Sequence, residues 1–391
     1  MLEILPTAPT AAKNASGPWG ILGASLAVLA AAGCAMKAPP PAFTPVEITA
    51  GERHTCAVTS AGVRCWGNNN YGQLGDGTDT DRATAVPVTG LPGGVASAAA
   101  GARHTCAVAG SGAVMCWGEN HDGQLGDGTR VDRNAPVAVT GLAGGVKVVA
   151  AGERHTCAVT SDGKVLCWGN NHYGQLGDGT EVDRDSPVAV SGLTGVAALA
   201  AGRRHTCALT AHGGVVCWGA NHDGQLGDGT QASRSRPAPV TGLDTGVTAI
   251  TAGRRHTCAL TAAGAVRCWG KNQRGQLGNG NQSDSTAPVQ VSGLDKETAS
   301  VAAGWWHTCA LARAGQVKCW GDNHAGQLGD GTSLLRPAPV DVGGIPGGVK
   351  AVTAGGHHTC AMSATEIRCW GENEDGQLGD GTMIDTLLQR K

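Results

Sequence analysis

The chain has 391 residues, of which 41% are hydrophobic and 3% aromatic, with 63 glycines and a formal net charge of −2. A near-neutral chain without a basic tail excludes a protein built to track nucleic-acid phosphates. Its N-terminal apolar stretch, residues 20–33, is too short to cross a membrane as a helix, and no other stretch is long enough.

The first predicted element is that stretch, which ends Ala31-Ala32-Gly33-Cys34; Lys13 is the one basic side chain before it and Glu3 opposes it. It resembles a bacterial lipoprotein signal with Cys34 as the lipid-accepting residue, although Ala31 stands where that family usually carries Leu. An ordinary secretory leader, or a plain anchor with a chance cysteine, is the alternative. The domain reading is therefore a signal segment over residues 1–34, a Pro-rich tether over 35–45 containing Pro39-Pro40-Pro41, and a repeat domain over 46–391. The chain is expected to be exported and held at the cell envelope by the lipid alone, or else secreted.

From Gly51 to Thr382 the run His-Thr-Cys-Ala, a short turn, Cys-Trp-Gly and then Gly-Gln-Leu-Gly recurs seven times. Its histidines are His54, His104, His155, His205, His256, His307 and His358, spaced by 50 or 51 residues. A period near 50 with strand-like chemistry predicts an all-β, seven-bladed propeller, because one small sheet cannot bury its own faces. In the third unit, strand A is expected at Val148–Ala151, B at His155–Val159, C at Lys164–Trp168 after the Asp162-Gly163 turn, and D at Pro187–Val190, where the proline suits an outer edge. The seventh unit lacks the Pro-Val of strand D. Leu387-Leu388 is expected to form a short outer strand there, with Val46–Thr49 as the inner strand beside it.

Fourteen of the fifteen cysteines form seven pairs: Cys56 with Cys65, Cys106 with Cys116, Cys157 with Cys167, Cys207 with Cys217, Cys258 with Cys268, Cys309 with Cys319, and Cys360 with Cys369. Each pair lies on strands B and C across a tight turn, where opposed residues come within disulfide reach, so seven disulfides inside blades are expected in an oxidising compartment. The competing reading places His155, Cys157 and Cys167 on a metal, but that is three ligands where a closed structural zinc site needs four. The seven tryptophans of Cys-Trp-Gly recur at one structural position and are expected to pack between blades.

Together the His-Thr-Cys-Ala, Cys-Trp-Gly and Gly-Gln-Leu-Gly-Asp-Gly motifs resemble the regulator of chromosome condensation repeat family over roughly residues 46–382. The resemblance implies a seven-bladed propeller serving mainly as a protein-interaction platform. The family's eukaryotic namesake is an exchange factor for the Ran GTPase that also binds chromatin, and a secreted bacterial relative inhibits β-lactamase. The export signal and the paired cysteines argue against a nuclear role here.

No catalytic set emerges, and neither an enzyme nor a cofactor is expected. The Gly-Gln-Leu-Gly-Asp-Gly loop offers one carboxylate per unit, replaced by Asn279 in the fifth, where calcium wants six or more oxygens. Function is expected where the repeats disagree. Strands alternate in direction, so the A–B and C–D connections share one face. Before each His-Thr-Cys stand Arg53, Arg103, Arg154, Arg204, Arg255, Trp306 and His357, and the C–D positions hold Tyr71, Asp122, Tyr173, Asp223, Arg274, Ala325 and Asp375, with His121, His172, His222 and His324 beside several. Arg53, Tyr71, Arg103, Arg154, Tyr173, Arg204, Arg255, Trp305, Trp306 and His357 are the candidate partner-binding residues, since Arg, Tyr and Trp anchor interfaces; one of the two adjacent tryptophans is expected to be exposed. The alternatives are that the arginines only pair with loop aspartates, that the ligand is a glycan or cell-wall component rather than a protein, or that the chain is an extracellular hydrolase.

Overall fold

The computed structural model describes residues 44–345 and 347–387; the leader, Cys34 and nearly all of the tether lie outside the described residues. Within them 27 strands form seven antiparallel sheets, six with four strands in the order A-B-C-D and a seventh with three. Each sheet is contiguous in sequence and each is one blade. In the third blade the strands run Val146–Ala151, His155–Thr160, Val165–Gly169 and Arg184–Ala189. Strand D starts three residues before the proline-based expectation. Arg184 pairs with Gly169 across a bulge, and polar residues cost little on this half-buried outer edge.

All seven cysteine pairs are bridged within their own blades, directly opposed on strands B and C, with Cα atoms 4.0–4.1 Å apart. The glycine of Cys-Trp-Gly is obligatory at this point. Gly169 sits at φ 101°, and a Cβ there would lie 2.5 Å from the Arg154 carbonyl.

One tryptophan seals each junction between blades. Trp117 of blade two is fully buried against Cys56, Val58, Val63, Cys65 and Leu74 of blade one, and its indole N–H donates to the Gln73 carbonyl at 2.9 Å. Burial of this size contributes about 4 kcal/mol per tryptophan, which is how a chain so poor in aromatics builds a core. The same indole bond recurs around the ring and closes it, Trp66 of blade one donating to Gln377 of blade seven at 2.9 Å.

A second closed belt lies nearer the axis. Each motif histidine is fully buried and its Nε2 meets the motif threonine of the next blade at 2.9 Å, from His54 with Thr105 through to His358 with Thr55. Each of these threonines donates its hydroxyl to a Gly-Gln-Leu carbonyl of the preceding blade at 2.8–2.9 Å. The belt accounts for the recurrence of these histidines as fold chemistry.

Blade seven corrects the expected closure. Its outer element is one bridge, Gly371 with Thr386, rather than a Leu387-Leu388 strand; Leu387 is exposed and Leu388 lies outside the described residues. Pro45–Ala50 is instead the innermost strand of blade one, with strands Ala351–Ala354 and His358–Met362 of blade seven packed near it, so the last junction closes like the other six. The tail does follow the path of a strand D at its start, where Leu387 covers Gly326 as Pro337 covers Gly275 one blade earlier.

Candidate functional site

The face carrying the A–B and C–D connections is built as concentric rings. The motif's first glycine, Gly51 in blade one, packs under its own His54 imidazole and against the Gly101 carbonyl, which leaves no room for a side chain and brings the A–B turns close around the axis. They enclose a central cavity of about 80 Å³ walled by alanines and glycines, with Glu52, Glu153, Arg203, Arg254 and Trp305 at its mouth. These mouth residues precede the arginine position and were not picked out as a set from the sequence; their signal was variation at a single repeat position. The charge is split, acidic on blades one and three and basic on blades four and five. Burial pushes the Glu52 carboxyl up to about 7 against the opposing pull of Arg103 and Arg53, while Glu153 is tied to Arg203 at 2.6 Å.

The next ring holds the arginine series, and each arginine reaches the C–D loop of the preceding blade. Arg53 meets Asp375 at 3.0 Å, Arg154 meets Asp122 at 3.3 Å, and Arg255 meets Asp223 at 3.2 Å. Arg103 and Arg204 donate instead to the hydroxyls of Tyr71 and Tyr173 at 3.2 and 3.1 Å, with their guanidinium groups about 5 Å from the ring centroids. The pairing expected as an alternative is therefore present, yet the arginine side chains keep 38–45% of their surface exposed. Lateral pairing pre-orders them without hiding them.

Where the series breaks, the chemistry changes. Arg274 occupies the C–D position of blade five and reaches Asp322 of blade six at 3.6 Å, while Trp306 stands where blades one to five carry arginine. Trp305 and Trp306 are both half-buried, correcting the expectation that one would be exposed; the Arg254 guanidinium lies 4.4 and 5.1 Å from their ring centroids and covers both. Burial, with the nearby Arg203 charge, pushes the Arg254 guanidinium down from its ordinary value, and its Nε has no hydrogen-bond partner. Trp305 also meets the His357 ring edge-on at 5.9 Å, and His357 meets His324 at 4.6 Å. Blades five to seven thus carry one continuous patch of cations and aromatic rings.

The Gly-Gln-Leu-Gly-Asp-Gly loop is saturated from within. Asp76 accepts from the Thr78 amide and hydroxyl at 2.9 and 2.7 Å and pairs with Arg82 at 2.9 Å, and Asn69 ties the loop to Leu74 and Thr78. Asn279 takes the same place in blade five, bonded to Asn272. The carboxylate is spent on a turn.

Residues 165–391 match the model of the RCC1-like domain, and residues 46–73, 95–124 and 146–175, with 62–108 and 111–159, match models of the regulator of chromosome condensation (RCC1) repeat. The ultraviolet-B receptor UVR8 of Arabidopsis thaliana is 36% identical over 303 residues, covering 75% of this chain and 69% of that protein. The human E3 ubiquitin-protein ligase HERC2 is 33% identical over 350 residues, 85% of this chain but 7% of the ligase. Among solved structures, yeast RCC1 (Prp20) bound to Kap60 superposes with a TM-score of 0.74 at 26% identity over 89% of this chain and 84% of that one. Human WBSCR16, with a TM-score of 0.74 at 23% identity over 82% of this chain and 87% of that one, shares the fold.

Proposed function

The chain belongs to the family of RCC1-like domains, and from that premise we propose that it is a non-enzymatic binding platform at a bacterial cell envelope, recognising a protein partner through its A–B and C–D face. The observation that carries the reading is the patch of Arg254, Trp305, Trp306 and His357, where the ring's regular arginine pairing gives way to half-buried aromatics beside a poorly satisfied cation. Relatives of the same fold support it: yeast Prp20p is described binding Gsp1p and histones and is seen with Kap60. Seven disulfides suit an oxidising, extracytoplasmic compartment, and the leader ending at Cys34 supports export with a lipid anchor. The charge of −2 argues against nucleic acid as the ligand.

The test compares the chain from residue 35 with its Trp305→Ala/Trp306→Ala variant in cross-linked capture from envelope extracts. Alanine is preferred to the repeat's own arginine because two more guanidinium groups beside Arg254 would repel it. A partner held by the parent and released by a variant of similar melting temperature supports the reading. Undiminished capture by the variant, or loss only together with the fold, refutes it.

A glycan is the second reading, favoured by one feature. A groove of about 370 Å³ beside Tyr71 is bordered by Asp79, Asp132, Arg133 and Asn134, an aromatic rim with charged and amide groups suited to sugar hydroxyls. Binding of cell-wall oligosaccharides that Tyr71→Ala abolishes would favour it over the protein partner.

A further inference from the structure

The junction between blades six and seven departs from the other junctions of the ring at three positions. His357 replaces the arginine, Ala325 replaces its aspartate or tyrosine partner, and Asp322 fills the position after Cys-Trp-Gly that is Asn, Glu, Ala or Lys elsewhere. Asp322 is 5% exposed at its side chain, and this buried carboxylate meets two imidazoles as well as the Arg274 guanidinium. We propose that Asp322, His324 and His357 form a binding site for a divalent transition-metal ion of the zinc class. This goes beyond the partner-binding reading and stands without it.

The geometry is close to what such an ion requires. His324 Nδ1 lies 2.5 Å and His357 Nδ1 3.8 Å from the same oxygen, Asp322 Oδ2, and the three ligand atoms lie within 4.8 Å of one another. A tetrahedral zinc ion at ordinary bond lengths holds its donor atoms about 3.3 Å apart, so shifts of about 1 Å or less convert one arrangement into the other. The imidazole rings stand at 75° to each other, an orientation that lets each point a nitrogen at a common centre instead of stacking flat. His357 Nδ1 is buried and has no hydrogen-bond partner, whereas a ligating nitrogen would be satisfied.

The surroundings supply the outer support that metal ligands usually have. Gln327 Nε2 donates to Asp322 Oδ2 at 3.0 Å, and Arg274 lies 3.6 Å from the other oxygen, Oδ1, leaving Oδ2 directed at the histidines. The His324 side chain is 61% exposed, so the fourth coordination position opens to solvent and takes water or a side chain from outside. Two neutral imidazoles and one carboxylate favour zinc, copper or nickel over calcium or magnesium, which prefer oxygen alone.

A second grouping, Asp122 with His172 and Asp183, fails the same comparison. It offers one imidazole instead of two, and the His172 side chain is 65% exposed, with no buried unpartnered nitrogen like that of His357. It serves as the control.

The test uses the tag-free full chain stripped with a chelator. Cobalt(II) should give the visible absorption of a tetrahedral site at one equivalent, and zinc should displace it, with isothermal titration reporting the same stoichiometry. His324→Ala, at an exposed position that does not threaten folding, should weaken zinc binding by more than about 100-fold, beyond the roughly 10- to 100-fold that loss of an outer-shell partner costs. His357→Arg, which restores the residue of the other repeats, should do the same, and His172→Ala should leave binding unchanged. Absence of saturable binding, or binding that survives His324→Ala, overturns the proposal.

Discussion

Thr105 has a single hydroxyl proton, and it goes to the Gln73 carbonyl at 2.9 Å. The contact with His54 Nε2 must therefore have the histidine as donor, which sets the neutral Nε2–H tautomer, and the same logic applies at all seven junctions. Thr105→Val keeps the shape but strands both a buried N–H and part of a carbonyl's bonding; it should destabilise the ring by about 3 kcal/mol in denaturant unfolding, and a change near zero would show that the belt is incidental. Burial pushes the belt histidines down from 6.5 to about 3 or 4, and His307 well below its ordinary value. Their folded values lie below their unfolded ones, so the stability they support is fully present above pH 6.5 and is lost as the pH falls toward 3, at up to roughly 1.4 kcal/mol per pH unit for each histidine. Melting temperature should hold between pH 7 and 8 and fall steeply below pH 6. A flat profile down to pH 4 would contradict neutral buried imidazoles.

Within a blade, the disulfide joins strands B and C and lies under the next blade's tryptophan, so it tightens the hairpin and part of the junction at once. Each bridge closes a loop of about ten residues and contributes about 2.5 kcal/mol on a chain-entropy account. Intact mass of the unreduced protein should be lower than that of the reduced chain by roughly two daltons for each of the seven bridges, and thiols from the ring should stay unreactive in denaturant without reductant. Several reactive thiols would refute the pairing. The arginine pairs between blades are a weaker kind of link. Arg154 and Asp122 meet at 3.3 Å with the arginine side chain 45% exposed, and a double-mutant cycle between them should give a coupling of about 0.5–1 kcal/mol. A small coupling leaves the arginines free to serve a ligand; a coupling of several kcal/mol would mark them as structural.

At the scale of the whole ring, blade seven is the thin element. It is joined to blade one by the His358–Thr55 and Trp66–Gln377 bonds and by the Gly381 amide donating to Ala83, the same kinds of bond that join the other blades. Its outer edge depends on the paired bonds between Gly371 and Thr386 at 2.9 and 3.0 Å and on Asp385 accepting from the Asn373 amide. Removing residues 384–391 should therefore lower stability by about 2 kcal/mol without opening the ring, seen as a drop of a few degrees in melting temperature with unchanged circular dichroism. Loss of the folded state would show that the tail is needed for closure.

The number of blades, the disulfide partners, the shared tryptophan position and the face carrying variation were all legible in the sequence, because each depends on a pattern that repeats seven times and on local strand geometry. The extra length of strand D was not, since an exposed edge imposes little hydrophobic pattern on its residues. Leu387-Leu388 looked like a strand because it is apolar; among the described residues the tail bridges at Thr386 instead, and Leu387 is exposed. What tertiary structure alone decided is which residues from different blades meet. The neighbours of Arg254 are Trp305 and Trp306, and His357 of blade seven comes to Asp322 of blade six. Such pairings depend on the rotation between successive blades, set by the burial of tryptophans and alanines between sheets. No spacing along a single repeat encodes that rotation.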